Sequence, residues 1–157
     1  MKGYITIEIP TKKYIRAFII AQLGAKPFMS TEHVIGNKLY DVLQRTGNER
    51  RSGRLNKLYE CSLRVYISMH TFRQHGANLN DTNLRNFNGF VQGLIKDKIR
   101  FLLDLYVPAF GSFEKALVKA REVMKIEDED WDSDSIKKDY YRYRVKRKMP
   151  LLYKKKG

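Results

Sequence analysis

The fold is decided by residues 80–111, which carry the longest helical pattern in the chain: NDTNLRNFNGFVQGLIKDKIRFLLDLYVPAFG. Asn80 or Asp81 can cap the first turn, and Pro108 and Gly111 are expected to end the helix. Between them, apolar side chains recur every three or four residues: Leu84, Phe87, Phe90, Val91, Leu94, Ile95, Ile99, Leu102, Leu103 and Leu105. This spacing predicts the main core helix, over residues 80 or 81 to about 106.

Two segments with alternating apolar and polar residues predict β-strands. Residues 4–9 place Ile5, Ile7 and Ile9 on one side, and Pro10 is expected to end the strand. Residues 63–69 alternate in the same way. We expect the two strands to pair antiparallel, with the apolar side of this small sheet resting on helices, because a two-stranded ribbon is marginal alone.

Helical spacing of apolar residues also predicts shorter helices on both sides of these elements. They cover residues 12–23, 33–45, 113–124 and about 134–148, with N-caps expected at Thr11, at Ser30 or Thr31, and at Ser112. We therefore predict a predominantly α-helical α+β protein with about five helices, a small antiparallel strand pair and a C-terminal hairpin resembling a helix-turn-helix. Residues 1–110 would form the α+β core, and residues 111–157 the helical hairpin with a basic helix and tail.

Composition limits the classes of function. The 157 residues include 31 Lys and Arg but only 17 Asp and Glu, a net charge of +14 at pH 7. Such a surplus favours a polyanionic partner, with nucleic acid first. The single Cys61 excludes an intramolecular disulfide and a multi-cysteine metal site. The single cysteine and the lack of a signal-peptide pattern lead us to expect a cytoplasmic protein, and apolar runs too short for a membrane span exclude a membrane partner. No pair among the histidines and Cys61 has the spacing of metal ligands, so we expect no metal and no cofactor.

The charge is concentrated at the C-terminus, where residues 137–157 hold ten basic residues and one acidic residue, Asp139. On a helix, Ile136, Tyr140 and Tyr143 would form the packing stripe. Arginine can contact guanine or phosphate through two hydrogen bonds, lysine can contact phosphate, and tyrosine can stack or hydrogen-bond. The alternative is an ordinary solvated helix. The candidate nucleic-acid-binding residues are Lys137, Lys138, Tyr141, Arg142, Arg144, Lys146, Arg147 and Lys148.

The helix at 113–124 and this basic helix would form a hairpin resembling a helix-turn-helix, in which the second helix enters the major groove. The turn at 125–133 is longer than the usual three or four residues, and it is strongly acidic. A second candidate contact is the loop at 47–56, which contains Arg50, Arg51 and Arg54. This loop could project like the wing of a winged-helix protein, and the alternative is a plain surface loop.

Other motifs gave weaker indications of function. His70 and Arg73 resemble the His-x-x-Arg pair of tyrosine recombinases, although a strand-end histidine beside an arginine is also ordinary. The acidic cluster at 127–132 could bind Mg²⁺ for nuclease chemistry, but adjacent carboxylates in a turn usually serve capping and solubility. The asparagine-rich segment at 78–88 could read adenine, and we favour capping and helix-surface roles for it.

A small, very basic chain with a short strand pair and a terminal helix rich in tyrosine and arginine resembles the small DNA-binding proteins of bacterial phages and mobile elements. We therefore expect a non-catalytic DNA-binding protein that regulates transcription or replication, and that could act as a homodimer. Two alternatives remain open at this point: an RNA- or ribosome-associated binding protein, and a small nuclease or recombination factor.

Overall fold

The computed structural model describes residues 3–45 and 58–147 of the chain. The predicted fold class is confirmed: within these residues the protein is a predominantly helical α+β fold with six helices and one two-stranded antiparallel sheet. The elements in chain order are β1 (Tyr4–Thr11), α1 (Lys13–Leu23), α2 (Val34–Val42), β2 (Cys61–Ser68), α3 (Met69–His75), α4 (Asp81–Phe110), α5 (Phe113–Met124) and α6 (Ser133–Lys146). The predicted basic loop with Arg50, Arg51 and Arg54, and also Lys148, lie outside the described residues.

The two strands pair antiparallel as expected, in a register that runs from Tyr4 opposite Ser68 to Thr11 opposite Cys61. The alternation sorts the side chains between core and solvent, because successive residues of a strand point to opposite faces. The apolar side chains buried on the inner face are Ile7, Ile9, Leu63, Val65 and Ile67. The prediction of both strands from alternation is therefore confirmed.

The expected end of β1 and the expected cap of α1 were wrong. β1 continues through Pro10, whose carbonyl accepts a hydrogen bond from the Asn88 side chain at 3.1 Å and so faces away from β2. A proline facing outward on an edge strand removes no hydrogen bond from the sheet. Thr11 is fully buried in β1, and its hydroxyl donates to Asn88 Oδ1 at 2.6 Å instead of capping α1. α1 begins after Lys12, which makes no side-chain cap.

α2 begins and ends at positions that differ from the prediction. His33 caps it: its Nδ1 accepts a hydrogen bond from the Gly36 N–H at 2.9 Å, so neither Ser30 nor Thr31 is the cap. The helix ends at Val42 and not at residue 45. Gln44 leaves the helix because its backbone pairs with that of Asn78 through two hydrogen bonds, at 2.9 and 3.0 Å.

α3 was not predicted, and α4 is longer than predicted. No side chain of α3 is buried, so no apolar period marks this helix in the sequence. Asn80 caps α4 by accepting a hydrogen bond from the Asn83 N–H at 2.8 Å. The helix passes through Pro108 and ends before Gly111, which has a φ of 66°. Pro108 lacks one backbone N–H, but helical hydrogen bonding continues past it, since the Gly111 N–H donates to the Val107 carbonyl at 2.9 Å.

The chain divides into two compact units, the first ending at Gly93 and the second beginning at Leu94. α4 therefore contributes to both, and the second unit contains its C-terminal part together with α5 and α6. The sequence suggested a boundary after residue 110, but side chains of α4 between Lys96 and Asp104 bind α6. None of the helices in the described residues is long and apolar enough to cross a membrane.

Candidate nucleic-acid interface

The eight residues 125–132 that join α5 to α6 are held by Arg121 of α5. Its guanidinium donates hydrogen bonds to the carbonyls of Ile126 at 3.2 Å and Trp131 at 2.7 Å, and to the Asp128 carboxylate at 3.2 Å. Lys125 takes the left-handed conformation that ends α5, with a φ of 57°. The acidic turn is therefore an ordered connection that is about twice as long as the turn of a standard helix-turn-helix.

Carboxylates of this turn form hydrogen bonds within the turn and at the start of α6. Asp132 caps α6, accepting hydrogen bonds from the Ser135 N–H at 2.8 Å and the Ser135 hydroxyl at 2.7 Å. Both hydrogen bonds lower the pKa of Asp132, the one from the hydroxyl more strongly. Asp130 accepts from the Glu127 N–H at 3.1 Å, and Asp128 accepts from the Ser133 hydroxyl at 2.9 Å. These contacts make the three aspartates of the turn components of its structure.

The inner face of α6 is fixed to α4 by Asp104. One carboxylate oxygen accepts from the Tyr140 hydroxyl at 2.7 Å and pairs with Arg144 Nη1 at 2.8 Å, and the other accepts from the Tyr143 hydroxyl at 3.2 Å. Ile136, Tyr140 and Arg144 are the buried residues of this helix. Asp104 thereby fixes both the position and the rotation of α6 on α4.

The expectation that Arg144 lies on the exposed basic face was wrong, because this residue is only 4% exposed. A spacing of four residues places it on the same stripe as Ile136 and Tyr140. A charge in such a position needs a partner, and Asp104 supplies it. The Arg144 guanidinium is therefore used inside the second unit, and it does not form part of the surface offered to a ligand.

A second carboxylate of α6 also points towards α4. Asp139 accepts two hydrogen bonds from Arg100, at 3.1 and 2.9 Å, and lies 3.7 Å from the Lys96 ammonium. Its side chain is only 15% exposed. Because Asp139 is the one acidic residue after position 134, the solvent side of α6 beyond that point carries no carboxylate of its own.

After Ser135, the side of α6 that faces solvent, here termed the outer face, consists of Lys138, Tyr141, Arg142, Val145 and Lys146. Its three cations are exposed and follow each other at intervals of four residues, one helical turn apart. Like charges at this spacing destabilise a helix by roughly 0.2–0.5 kcal/mol per pair. By contrast, α5 pairs Lys119 with Glu122 at 3.5 Å. The stability of α6 therefore does not explain the arrangement of its outer face.

Two further predicted cations flank this face. Lys137 lies 3.6 Å from Glu114 and 5.5 Å from the centre of the Phe113 ring. Arg147, just past the end of α6, is exposed and stacks over the Tyr143 ring at 5.1 Å. Of the predicted site residues, Lys138, Tyr141, Arg142 and Lys146 lie together, Lys137 and Arg147 lie at the edges, and Arg144 is buried.

In the asparagine-rich segment 78–88, Asn80 is a cap as we favoured, and three other asparagines bind backbone carbonyls of the protein. Asn78 donates to the Arg45 carbonyl at 2.9 Å and Asn83 to the Val42 carbonyl at 2.8 Å. Asn88 is buried and donates to the carbonyls of Pro10 and Leu84, at 3.1 and 3.0 Å. His70 and Arg73 are exposed in α3.

Sequence reasoning missed Asp104 and Asp139 as anchors, and Val145 as a member of the outer face. The signal for Asp104 was a single carboxylate directly after Leu102 and Leu103, two leucines of α4 that are buried in the core. A carboxylate beside buried apolar residues needs a hydrogen-bonding or cationic partner, which another element must supply. The signal for Val145 was its position in the helical period, three residues after Arg142.

In the part of the chain that the structure describes, no group of three or more His, Cys, Asp or Glu side chains is placed to hold a metal ion. No protein-family model, curated protein or solved structure matches this chain.

Proposed function

We propose that this protein is a non-catalytic DNA-binding protein, of the kind that regulates transcription or replication, and that it contacts duplex DNA through the outer face of α6. The observation that carries the proposal is the row of Lys138, Arg142 and Lys146 on α6, because Asp139, the one carboxylate of this helix after Asp134, is turned inward. Each cation can replace a counterion at a phosphate, which is the main source of affinity in non-specific DNA binding.

The way in which α6 is held supports the same conclusion. Asp104 and Asp139 attach the helix to α4 through Tyr140, Arg144 and Arg100. These contacts are part of the folded chain, so the cations need not be brought together when DNA arrives. Preorganisation of this kind lowers the entropic cost of binding.

The proposal is tested with Arg142→Ala combined with Lys146→Ala. The matched control is Lys115→Ala with Lys119→Ala, which removes two exposed cations from α5 and lowers the net charge equally. Binding to a labelled 20-base-pair duplex is measured by fluorescence anisotropy over a range of salt concentrations. Each phosphate contact contributes about 0.9 to the slope of log affinity against log salt. The α6 variant should lose about 1.8 from this slope and bind roughly 10- to 100-fold more weakly at 0.1 M salt.

The α5 control should keep the slope of the wild type. Equal losses of affinity in both variants would show that only net charge matters. An affinity that does not change with salt would contradict the proposed contact between α6 and the phosphates. The same titration with single-stranded DNA and with single-stranded RNA distinguishes the alternatives, because tighter binding to RNA than to duplex DNA would contradict the proposal.

A further inference from the structure

We propose that the outer face of α6 reads base pairs in the major groove, with Arg142 contacting guanine and Val145 contacting the methyl group of thymine. The proposal rests on the DNA-binding function proposed above and adds sequence selectivity to it. It assigns the lysines and Arg142 to different tasks on one helix face.

The spacing of the cations supports this division. Lys138 and Lys146 are eight residues apart, which corresponds to about 12 Å along the helix axis, and Arg142 lies midway between them. The major groove of B-DNA is about 12 Å wide and admits an α-helix. A helix seated there places Arg142 at the centre of the contact, where the base edges are. The two lysines, one turn away on either side, lie within reach of the phosphates that border the groove.

Among the described residues of the second unit, Arg142 differs from the other arginines because it has no hydrogen-bond, ion-pair or ring partner. Arg100 binds Asp139, Arg121 binds the turn, Arg144 binds Asp104, and Arg147 stacks over the Tyr143 ring. Within the described residues, Arg142 makes no hydrogen bond or ion pair, and it is exposed. Its planar guanidinium can donate two parallel hydrogen bonds to O6 and N7 of guanine, which a lysine ammonium cannot reproduce.

Val145 supplies an apolar group at the same place. It lies three residues after Arg142 on the outer face and is 60% exposed. Single exposed apolar residues are common on protein surfaces. Between Arg142 and Lys146, however, this side chain is positioned to touch whatever those cations bind. In the major groove, the apolar group that distinguishes one base pair from the others is the thymine methyl.

The experiment uses the full chain and a library of duplexes with a randomised 12-base-pair core, from which bound sequences are selected. The wild type should select a motif that contains a fixed guanine. Arg142→Lys keeps the charge but loses the planar fork, and should bind the selected site roughly 5- to 150-fold more weakly while keeping its affinity for random duplex. Lys146→Arg, the matched exchange at a phosphate-contacting position, should keep the motif. Thermal unfolding of each variant confirms that it folds.

Replacement of thymine by uracil in the selected site tests the second contact. This change removes only the methyl group, so it should weaken binding of the wild type more than binding of Val145→Ala. A chain that binds duplex DNA with a steep salt dependence but selects no motif would overturn this inference and leave the proposed function standing. Selection of the unchanged motif by Arg142→Lys would likewise overturn this inference and leave the proposed function standing. Failure to bind any duplex would overturn the proposed function, and this inference with it.

Discussion

At the scale of single residues, Asp104 is the group on which the position of α6 depends. It accepts hydrogen bonds from two tyrosines of that helix and pairs with the buried guanidinium of Arg144. The partners are unequally buried, since the side chain of Asp104 is 25% exposed and that of Arg144 only 4%. Removing the charge of Asp104 therefore takes a carboxylate away from a buried cation.

We predict that Asp104→Asn, which keeps the size of the side chain, destabilises the protein by about 3 kcal/mol. This value is at the lower end of the range for a broken buried pair because Asp104 is partly solvated. The free energy of unfolding is measured by urea denaturation. Glu122→Gln is the control: it breaks an exposed pair on α5 and should cost less than about 1 kcal/mol. Similar small effects for both variants would show that Asp104 does not anchor α6.

At the scale of the element, the start of α6 depends on the ionised form of Asp132. Hydrogen bonds from Ser135 hold the pKa of Asp132 below its ordinary value of 3.8, so the folded state favours the carboxylate. The stabilisation from this cap is complete above the pKa of the unfolded chain and is lost as the pH falls through the lower pKa of the folded state. The variant Asp132→Asn provides a cap that does not titrate.

We therefore expect the difference in Tm between wild type and Asp132→Asn to stay constant from pH 7 down to about pH 5. Below about pH 4, the wild type should lose stability relative to the variant. Thermal unfolding followed by circular dichroism measures the difference, and an NMR titration of the Asp132 carboxyl gives its pKa directly. A constant difference in Tm down to about pH 2 would mean that the carboxylate does not stabilise α6.

Elements with a strong apolar period were predicted well. β1, β2, α4 and α5 were recognised from local spacing, because alternation or a helical stripe is set by neighbours along the chain. The structure differs from the prediction where a residue distant in the sequence determines the position of a side chain. Asn88 accepts a hydrogen bond from the Thr11 hydroxyl, 77 positions away in the sequence. Asp104 pairs with Arg144, 40 positions away, and so keeps the guanidinium buried. α3 buries no side chain, so the sequence carries no period that could reveal it.

The candidate site was predicted in part for the same reason. Lys138, Arg142 and Lys146 face solvent, as expected from a helical wheel anchored on Ile136 and Tyr140. The wheel did not show how wide the buried stripe is, because its width depends on the partner helix. Once Asp104 is known, the inward direction of Arg144 follows from its charge and its spacing from Tyr140.

At the scale of the whole molecule, α4 is the element common to both compact units, and it contains two glycines near the boundary. Gly89 and Gly93 are exposed in the interior of this helix, and a Cβ at either position would meet no atom within 4 Å. Sterics therefore do not require glycine there. Each of the two glycines lowers the stability of the protein by roughly 0.5–1 kcal/mol relative to alanine, mainly because glycine gives the unfolded chain more conformational freedom.

We predict that Gly89→Ala with Gly93→Ala stabilises the protein by about 1–2 kcal/mol. Both glycines belong to the first unit, whereas the single tryptophan, Trp131, belongs to the second. If the shared helix makes unfolding one cooperative transition, the midpoint in urea should rise equally by Trp131 fluorescence and by circular dichroism. Gly36→Ala is the contrasting variant, because its Cβ would clash with the Ser30 carbonyl oxygen, and it should be destabilising. A rise in the circular dichroism midpoint alone would show that α4 does not couple the unfolding of the two units.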